Sequence, residues 1–129
     1  MMNTLTIIAV ASGGAIGATL RLFINGAVNR YFSHAFPLGT LAVNLLGSLI
    51  IGMLFAYFHL NTSISPHMKT FMVTGILGAL TTYSTFAIES FFLLESGNYM
   101  DAFANMALNV FGTILLAGIG YFFILNFTK

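Results

Sequence analysis

The sequence predicts an all-α membrane protein of four transmembrane helices, and three observations carry that prediction. Hydrophobic residues make up 58% of the chain and charged residues only 5%, far below the roughly one quarter usual for soluble domains. Four basic and three acidic side chains among 129 residues could not cover the apolar surface of a soluble fold. The apolar residues also fall into four stretches, each at or above the length of about 20 residues that crosses a bilayer, separated by short polar connections. The whole of 1–129 therefore reads as a single four-helix transmembrane domain, with no linker or low-complexity tract. A net charge of +1 offers no footprint for nucleic acid. The absence of cysteine excludes disulfides and thiolate metal sites.

The first stretch covers roughly Thr4 to Gly26. It has neither a basic flank nor a small-residue cleavage pattern, so it is expected to be retained rather than removed as a signal peptide. Gly13, Gly14 and Gly17 give it a small-residue face for close helix approach. Arg21 follows about a turn inside the boundary, and two readings stand for it. It is an interfacial anchor whose long stem snorkels to the headgroups, or a positive charge at the mouth of an anion path. A polar connection from Asn29-Arg30-Tyr31 through Pro37 leads to the second stretch, roughly Leu38 to Leu60. Pro37 and Pro66 each lie just ahead of a span, where a helix start tolerates proline. Asn44 places an amide a turn or two inside the membrane; buried, it needs partners, and bonding to another helix is the default.

The third stretch, roughly Met68 to Leu94, contains the segment that the rest is organised around: Gly75-Ile-Leu-Gly-Ala-Leu-Thr-Thr-Tyr-Ser-Thr-Phe86. It holds two glycines and four hydroxyls (Thr81, Thr82, Ser84, Thr85) beside two aromatic rings. Glycines and adjacent hydroxyls loosen the i→i−4 ladder, and freed backbone groups at membrane depth persist only inside protein or along a water-filled path. The third helix is therefore expected to be broken mid-membrane, which also exposes carbonyls able to hold a cation. Close packing through small residues is the plainer alternative, but it leaves the hydroxyls unexplained. Tyr83, Phe86 and Glu89 or Ser90 share one face of a helix. Glu89 is the only carboxylate well inside a span; it is a candidate proton or cation site or, equally, a hydrogen-bonded acid near the interface.

The fourth stretch, roughly Met100 to Phe127, repeats an earlier pattern. Leu108-Asn-Val-Phe-Gly-Thr113 matches Val43-Asn-Leu-Leu-Gly-Ser48 in residue type, and Gly14-Ala-Ile-Gly-Ala resembles Gly75-Ile-Leu-Gly-Ala. The two matches hint at duplication of a helix pair. His34, His59 and His67 fall in or beside connections without ligand spacing and read as solvated. Four spans place Lys69 and Lys129 on one side of the membrane, and Arg30, with Arg21 if it snorkels, on the other. Positive charge then gives almost no orientation preference, and a chain inserted both ways could pair as an antiparallel dimer.

Three segments in order, Gly13–Arg21, Pro37–Asn44 and Gly75–Phe86 followed by Glu89, resemble the signatures of the Fluc/CrcB fluoride channels across essentially the full chain. The resemblance implies a fluoride-selective ion channel, not an enzyme, that lets fluoride leave the cell passively and lowers cytoplasmic fluoride. It implies a multi-pass protein of the cell (inner) membrane, assembled as a dual-topology antiparallel homodimer with two pores and a structural sodium ion (Na+). By the same resemblance the backbone carbonyls of Gly78 and Thr81 hold that sodium, from both subunits. Asn44 would be the pore amide, Tyr83 and Phe86 the two pore rings, Ser84 and Thr85 the polar track with Thr113 added, and Arg21 a vestibule charge. Tyr83 stands where the family usually has phenylalanine, and Ala79-Leu80 replaces a common Gly-Phe or Gly-Leu pair. The residue chemistry agrees, because a strongly hydrated small anion needs donors such as amide N–H, hydroxyls and ring edges, without a fixed charge that would trap it. The alternatives are a small dual-topology proton-coupled multidrug or cation exporter, which would need Glu89 as its carboxylate, and a structural membrane subunit without transport.

Overall fold

Four helices long and apolar enough to cross a membrane make up the computed structural model, which describes residues 2–32 and 35–128. They are α1 (Thr4–Tyr31), α2 (Leu38–Leu60), α3 (Pro66–Glu95) and α4 (Tyr99–Phe127). His34 and Lys129, which entered the sequence reading as a loop histidine and a terminal charge, lie outside the described residues.

Local chemistry sets the ends. Asn3 accepts from the Thr6 N–H at 2.9 Å and so caps α1, as a short amide at this position does for an orphan donor. At its other end α1 runs past Gly26 to Tyr31, so Asn29, Arg30 and Tyr31 are helical and not part of the connection expected there. Arg30 in the last turn suits the negative end of the helix dipole. The extension leaves Arg21 ten residues short of the helix end, about 15 Å at 1.5 Å per residue, deeper along α1 than the turn expected. Ser65 accepts from the Met68 N–H at 3.2 Å and Pro66 occupies the first position of α3, where its missing N–H has no cost. Gly97, at φ 80°, turns the chain out of α3. Its N–H donates to the Leu94 carbonyl at 3.1 Å and that of Asn98 to the Leu93 carbonyl at 2.9 Å, a closing pattern that needs a left-handed residue.

Two of the helices depart from α geometry. Helix α3 is π-helical over Phe71–Leu77, then α-helical over Gly78–Leu80, and resumes at Tyr83–Glu95. Between these parts Thr81 (φ −81°, ψ 155°) and Thr82 (φ −149°, ψ 111°) are extended. Helix α4 is π-helical over Leu108–Gly112. Such wide turns are uncommon and concentrate at functional positions.

The helices pack as α1 on the first half of α3 and α2 on α4. Both seams are closed by glycine. A Cβ on Gly13 would come 2.9 Å from the Gly75 Cα, and one on Gly75 2.8 Å from the Gly13 Cα; on Gly52 it would overlap the Ala117 carbonyl. Small residues let membrane helices approach this closely. The central helix is α2, and Val43 packs with Leu77 and Leu80 against Ile24, Ile50, Ile51 and Leu54. Large apolar side chains such as Phe23, Phe111 and Phe122 are exposed, as lipid contact requires. The motifs matched in the sequence meet in space: Asn44 of α2 bonds Asn109 of α4, and Gly13 and Gly17 of α1 face Gly75 and Ile76, whereas Gly14, expected on the same packing face, has no neighbour within 4 Å of a Cβ placed there.

Candidate functional site

The two extended residues of α3 rearrange the hydrogen bonds around them. In an uninterrupted helix the Thr82 N–H would bond the Gly78 carbonyl, and the Thr85 N–H the Thr81 carbonyl. Instead the Thr82 N–H donates to Asn44 Oδ1 at 2.8 Å, and Asn44 Nδ2 donates back to the Thr82 carbonyl at 3.1 Å. One amide side chain of α2 thus replaces the helix on both sides of Thr82. The Thr85 N–H turns to Thr82 Oγ1 at 3.3 Å, and that hydroxyl donates to Thr85 Oγ1 at 2.9 Å, capping the second half of α3. Thr81 closes the first half, its N–H and its hydroxyl both donating to the Leu77 carbonyl, at 3.0 and 2.9 Å. The carbonyls of Gly78, Ala79, Leu80 and Thr81 thus all lose their helical donors, as the last four of a helix do. Gly78 is exposed, and a Cβ there would meet only the Val73 carbonyl, at 3.5 Å.

A cavity of about 450 Å³ opens over this point, between α2, α3 and α4. Of the residues singled out from sequence, it gathers Asn44, Gly78, Thr81, Tyr83, Phe86 and Thr113. Ser84, Thr85 and Arg21 do not line it. Tyr83 and Phe86, three apart on the second half of α3, meet edge to face with centroids 5.4 Å apart and planes at 72°, a favoured aromatic geometry. Their environments differ sharply: Phe86 is 6% exposed and Tyr83 78%. No ionisable side chain other than the Tyr83 phenol is in the lining.

Asn44 uses its whole amide inside the chain, since its second N–H donates to Asn109 Oδ1 at 2.8 Å. Thr113 turns its hydroxyl onto its own helix, to the Asn109 carbonyl. Among the described residues, Ser48 and Ser84 donate to no protein acceptor, which leaves their hydroxyls available to a solute. Ser48 lines the cavity but was not singled out from sequence, although it lies four residues after Asn44 and so on the same face of α2. Asn109, whose role the sequence left open, was findable by the same spacing from Asn105 and Thr113. The motif match aligns it with Asn44, but only the packed helices show that the two amides bond.

Glu89 lies apart from this cavity. Thr40 Oγ1 donates to its Oε1 at 2.8 Å, and its Oε2 is buried without a protein partner. It lines a separate pocket with Pro37, Phe92 and Ser96. His59 is exposed and His67 half-buried, and among the described residues no three His, Cys, Asp or Glu side chains gather as a metal site would require.

A four-helix membrane chain with two extended threonines within its third helix, and a ring-lined cavity beside them, has the makings of an ion-conducting protein. Residues 8–121 match the family described as "CrcB-like protein, Camphor Resistance (CrcB)", and the chain belongs to that family. It is 56% identical over 123 residues to a protein of Sulfurimonas denitrificans named "Fluoride-specific ion channel FluC", covering 95% of each chain. Proteins of the same name from Campylobacter jejuni and Nautilia profundicola are 49% identical over 121 residues and 46% over 116. The match covers 94% of this chain and 97% of the Campylobacter protein, and 90% and 91% for the Nautilia protein.

Proposed function

We propose that this chain is the subunit of a fluoride-selective channel, which lets fluoride leave the cell passively and lowers cytoplasmic fluoride. The observation that carries the reading is its near full-length identity to proteins named as fluoride-specific channels. The cavity chemistry supports it. Two rings and several hydroxyls surround the space without a carboxylate or a basic group. Ring edges and O–H groups can replace part of the hydration shell of a small anion, and weak, multiple sites let it leave again. Fluoride crosses membranes as neutral HF from acid surroundings and ionises inside, so a passive anion path suffices to expel it. The exporter alternative has less support, because its one candidate carboxylate, Glu89, lies outside this cavity.

The chain acts in the cell (inner) membrane as a dual-topology antiparallel homodimer. Thr81 is sixteenth of the thirty residues of α3, so the opening in that helix lies near mid-membrane, with about 20 Å of helix on either side at 1.5 Å per residue. At that depth the exposed Gly78, Tyr83 and Ser84 need cover, and a second copy supplies it. Tyr83 and Phe86 face the ion, Ser84, Thr85 and Thr113 form the polar track beside it, and Asn44 holds the opened backbone at the pore wall. Arg21 supplies positive charge toward one mouth. The chain's donor set fits a structural sodium ion: the carbonyls of Gly78 and Thr81 are among the four from Gly78 to Thr81 stripped of their helical donors, and carbonyls at the ends of half-helices are the groups that hold such ions in membrane proteins. Two oxygens from one copy are few for a cation; the same two from a second copy make a set of four.

Purified protein in liposomes tests the function. Fluoride release that requires only a compensating cation current, without a proton gradient, is the expected result. Transport that follows a proton gradient would transfer the protein to the exporter class, and no flux from well-folded protein would leave it a structural subunit.

A further inference from the structure

Four buried polar side chains join α2, α3 and α4 in one continuous chain of hydrogen bonds. It begins at the Thr82 N–H, which donates to Asn44 Oδ1 at 2.8 Å. Asn44 Nδ2 donates to Asn109 Oδ1 at 2.8 Å, and Asn109 Nδ2 to Asn105 Oδ1 at 2.9 Å. Asn105 Nδ2 then donates to Ser90 Oγ at 3.0 Å, and Ser90 Oγ to the Phe86 carbonyl at 2.9 Å. Every bond runs in the same donor-to-acceptor direction, so each polarises the next. The members are 0 to 7% exposed, where an amide without a partner is costly.

The ends of this chain matter most. Thr82 caps the second half of α3, and Phe86 lies in the first turn of that half. The chain leaves α3 at Thr82, crosses α2 and α4, and returns to α3 at Ser90, whose hydroxyl bonds the Phe86 carbonyl one turn earlier in the same helix. It therefore ties the second half of α3 to the other helices at Thr82 and at Ser90, four residues to either side of Phe86. The return link belongs to Asn105 and Ser90, which lie outside the cavity. The π-helical turn of α4 over Leu108–Gly112 contains Asn109, and the Asn105 carbonyl accepts from Asn109 Nδ2 at 2.9 Å. A side chain that bonds into a widened helix in this way changes the direction of its neighbours.

We propose that Asn105 and Ser90 are positioning residues for the pore ring of Phe86: they hold the first turn of the second half of α3 in register, although neither touches the ion. The inference rests on the channel reading for its functional consequence, but not for its structural one. Two measurements on the reconstituted dimer test it. The first is the fluoride current of single channels, which does not depend on how many molecules fold. Ser90→Ala and Asn105→Leu each cut the final link and should lower that current by about fivefold or more, the equivalent of one net hydrogen bond. Ser90→Thr, which keeps the hydroxyl, should retain a current within about twofold of the parent on the same scale. The second is the fluorine NMR signal of 4-fluorophenylalanine placed at position 86, with position 58 as a buried reference on α2. Ser90→Ala should shift or broaden the signal at 86 and leave that at 58 unchanged.

Normal single-channel current in both Ser90→Ala and Asn105→Leu would overturn the proposal. So would equal disturbance of the two fluorine signals, which would mark a general loosening, or an unaltered signal at 86. If Asn105→Leu does not assemble, Ser90→Ala, which loses a single oxygen, decides. If the parent protein carries no fluoride at all, the channel reading fails, and the signal at 86 still judges the link.

Discussion

Replacing Asn44 by leucine tests whether one side chain keeps α3 open. Leucine has the same branched, four-heavy-atom side chain as asparagine but no polar atom. The change removes three hydrogen bonds, to the Thr82 N–H, the Thr82 carbonyl and Asn109 Oδ1. Each group left buried without a partner costs about 1–3 kcal/mol, which sets a ceiling near 9 kcal/mol. Hydrogen bonds between membrane helices have averaged nearer 0.6 kcal/mol, because freed groups find other partners, which sets a floor near 2 kcal/mol. Here one freed group has such a partner: the Thr82 N–H can return to the Gly78 carbonyl as helix geometry dictates. The Thr82 carbonyl and Asn109 do not, since Thr82 is 7% and Asn109 6% exposed. Two orphaned groups at the low end, with the third recovered, give a loss of about 2–4 kcal/mol. The assay is reversible unfolding of the detergent-solubilised protein alongside fluoride efflux per folded protein. The variant should lose that stability, and its folded fraction should conduct poorly, because a re-formed bond at Gly78 removes a carbonyl from the proposed sodium site. Parental stability with parental flux would refute the role given to Asn44. Lost stability with full flux per folded protein would make the tie purely architectural.

Phe86→Ile keeps volume and apolarity and should cost no more than about 1.5 kcal/mol of stability, while it removes the ring edge and should lower fluoride efflux by orders of magnitude; normal efflux would exclude that ring from the ion path. Tyr83→Phe deletes only an exposed hydroxyl and should retain substantial flux, so a silent, well-folded Tyr83→Phe dimer would show that the phenol is needed. Gly78→Val places a branched side chain beside the carbonyls proposed for sodium and should impair function or assembly, whereas Thr81→Val, which keeps the backbone, should do less harm; flux in the parent that is indifferent to prolonged sodium removal would count against the site. A reporter at the carboxyl terminus should appear on both faces of the membrane, and a few lysines added to the loop around Gly97 should fix one orientation and abolish flux unless an oppositely fixed partner is supplied.

What the sequence determined by itself was set by local and compositional physics. The four spans follow from apolar length, since a helix is the only way an isolated segment satisfies its backbone in lipid. Pro66, Ser65 and Gly97 mark ends through their own backbone preferences, which need no distant partner. The extended dihedrals at Thr81 and Thr82 had a local signal, because glycine and hydroxyls act on the ladder they belong to. The end of α1 was misjudged for a related reason: Asn29 and Arg30 look like a loop in isolation, but a helix already paid for by packing continues through polar residues. The tertiary structure decided which partners the freed groups take. Nothing in the sequence says that Asn44, 38 residues from Thr82, takes the N–H that Gly78 gives up, or that Asn109 and Asn105 continue the connection to Ser90 and Phe86. Hydrogen bonds between helices depend on the rotation and height of each helix, which are set by the glycine seams at Gly13 with Gly75 and at Gly52 with Ala117. Those contacts are long-range, and only the packed molecule contains them.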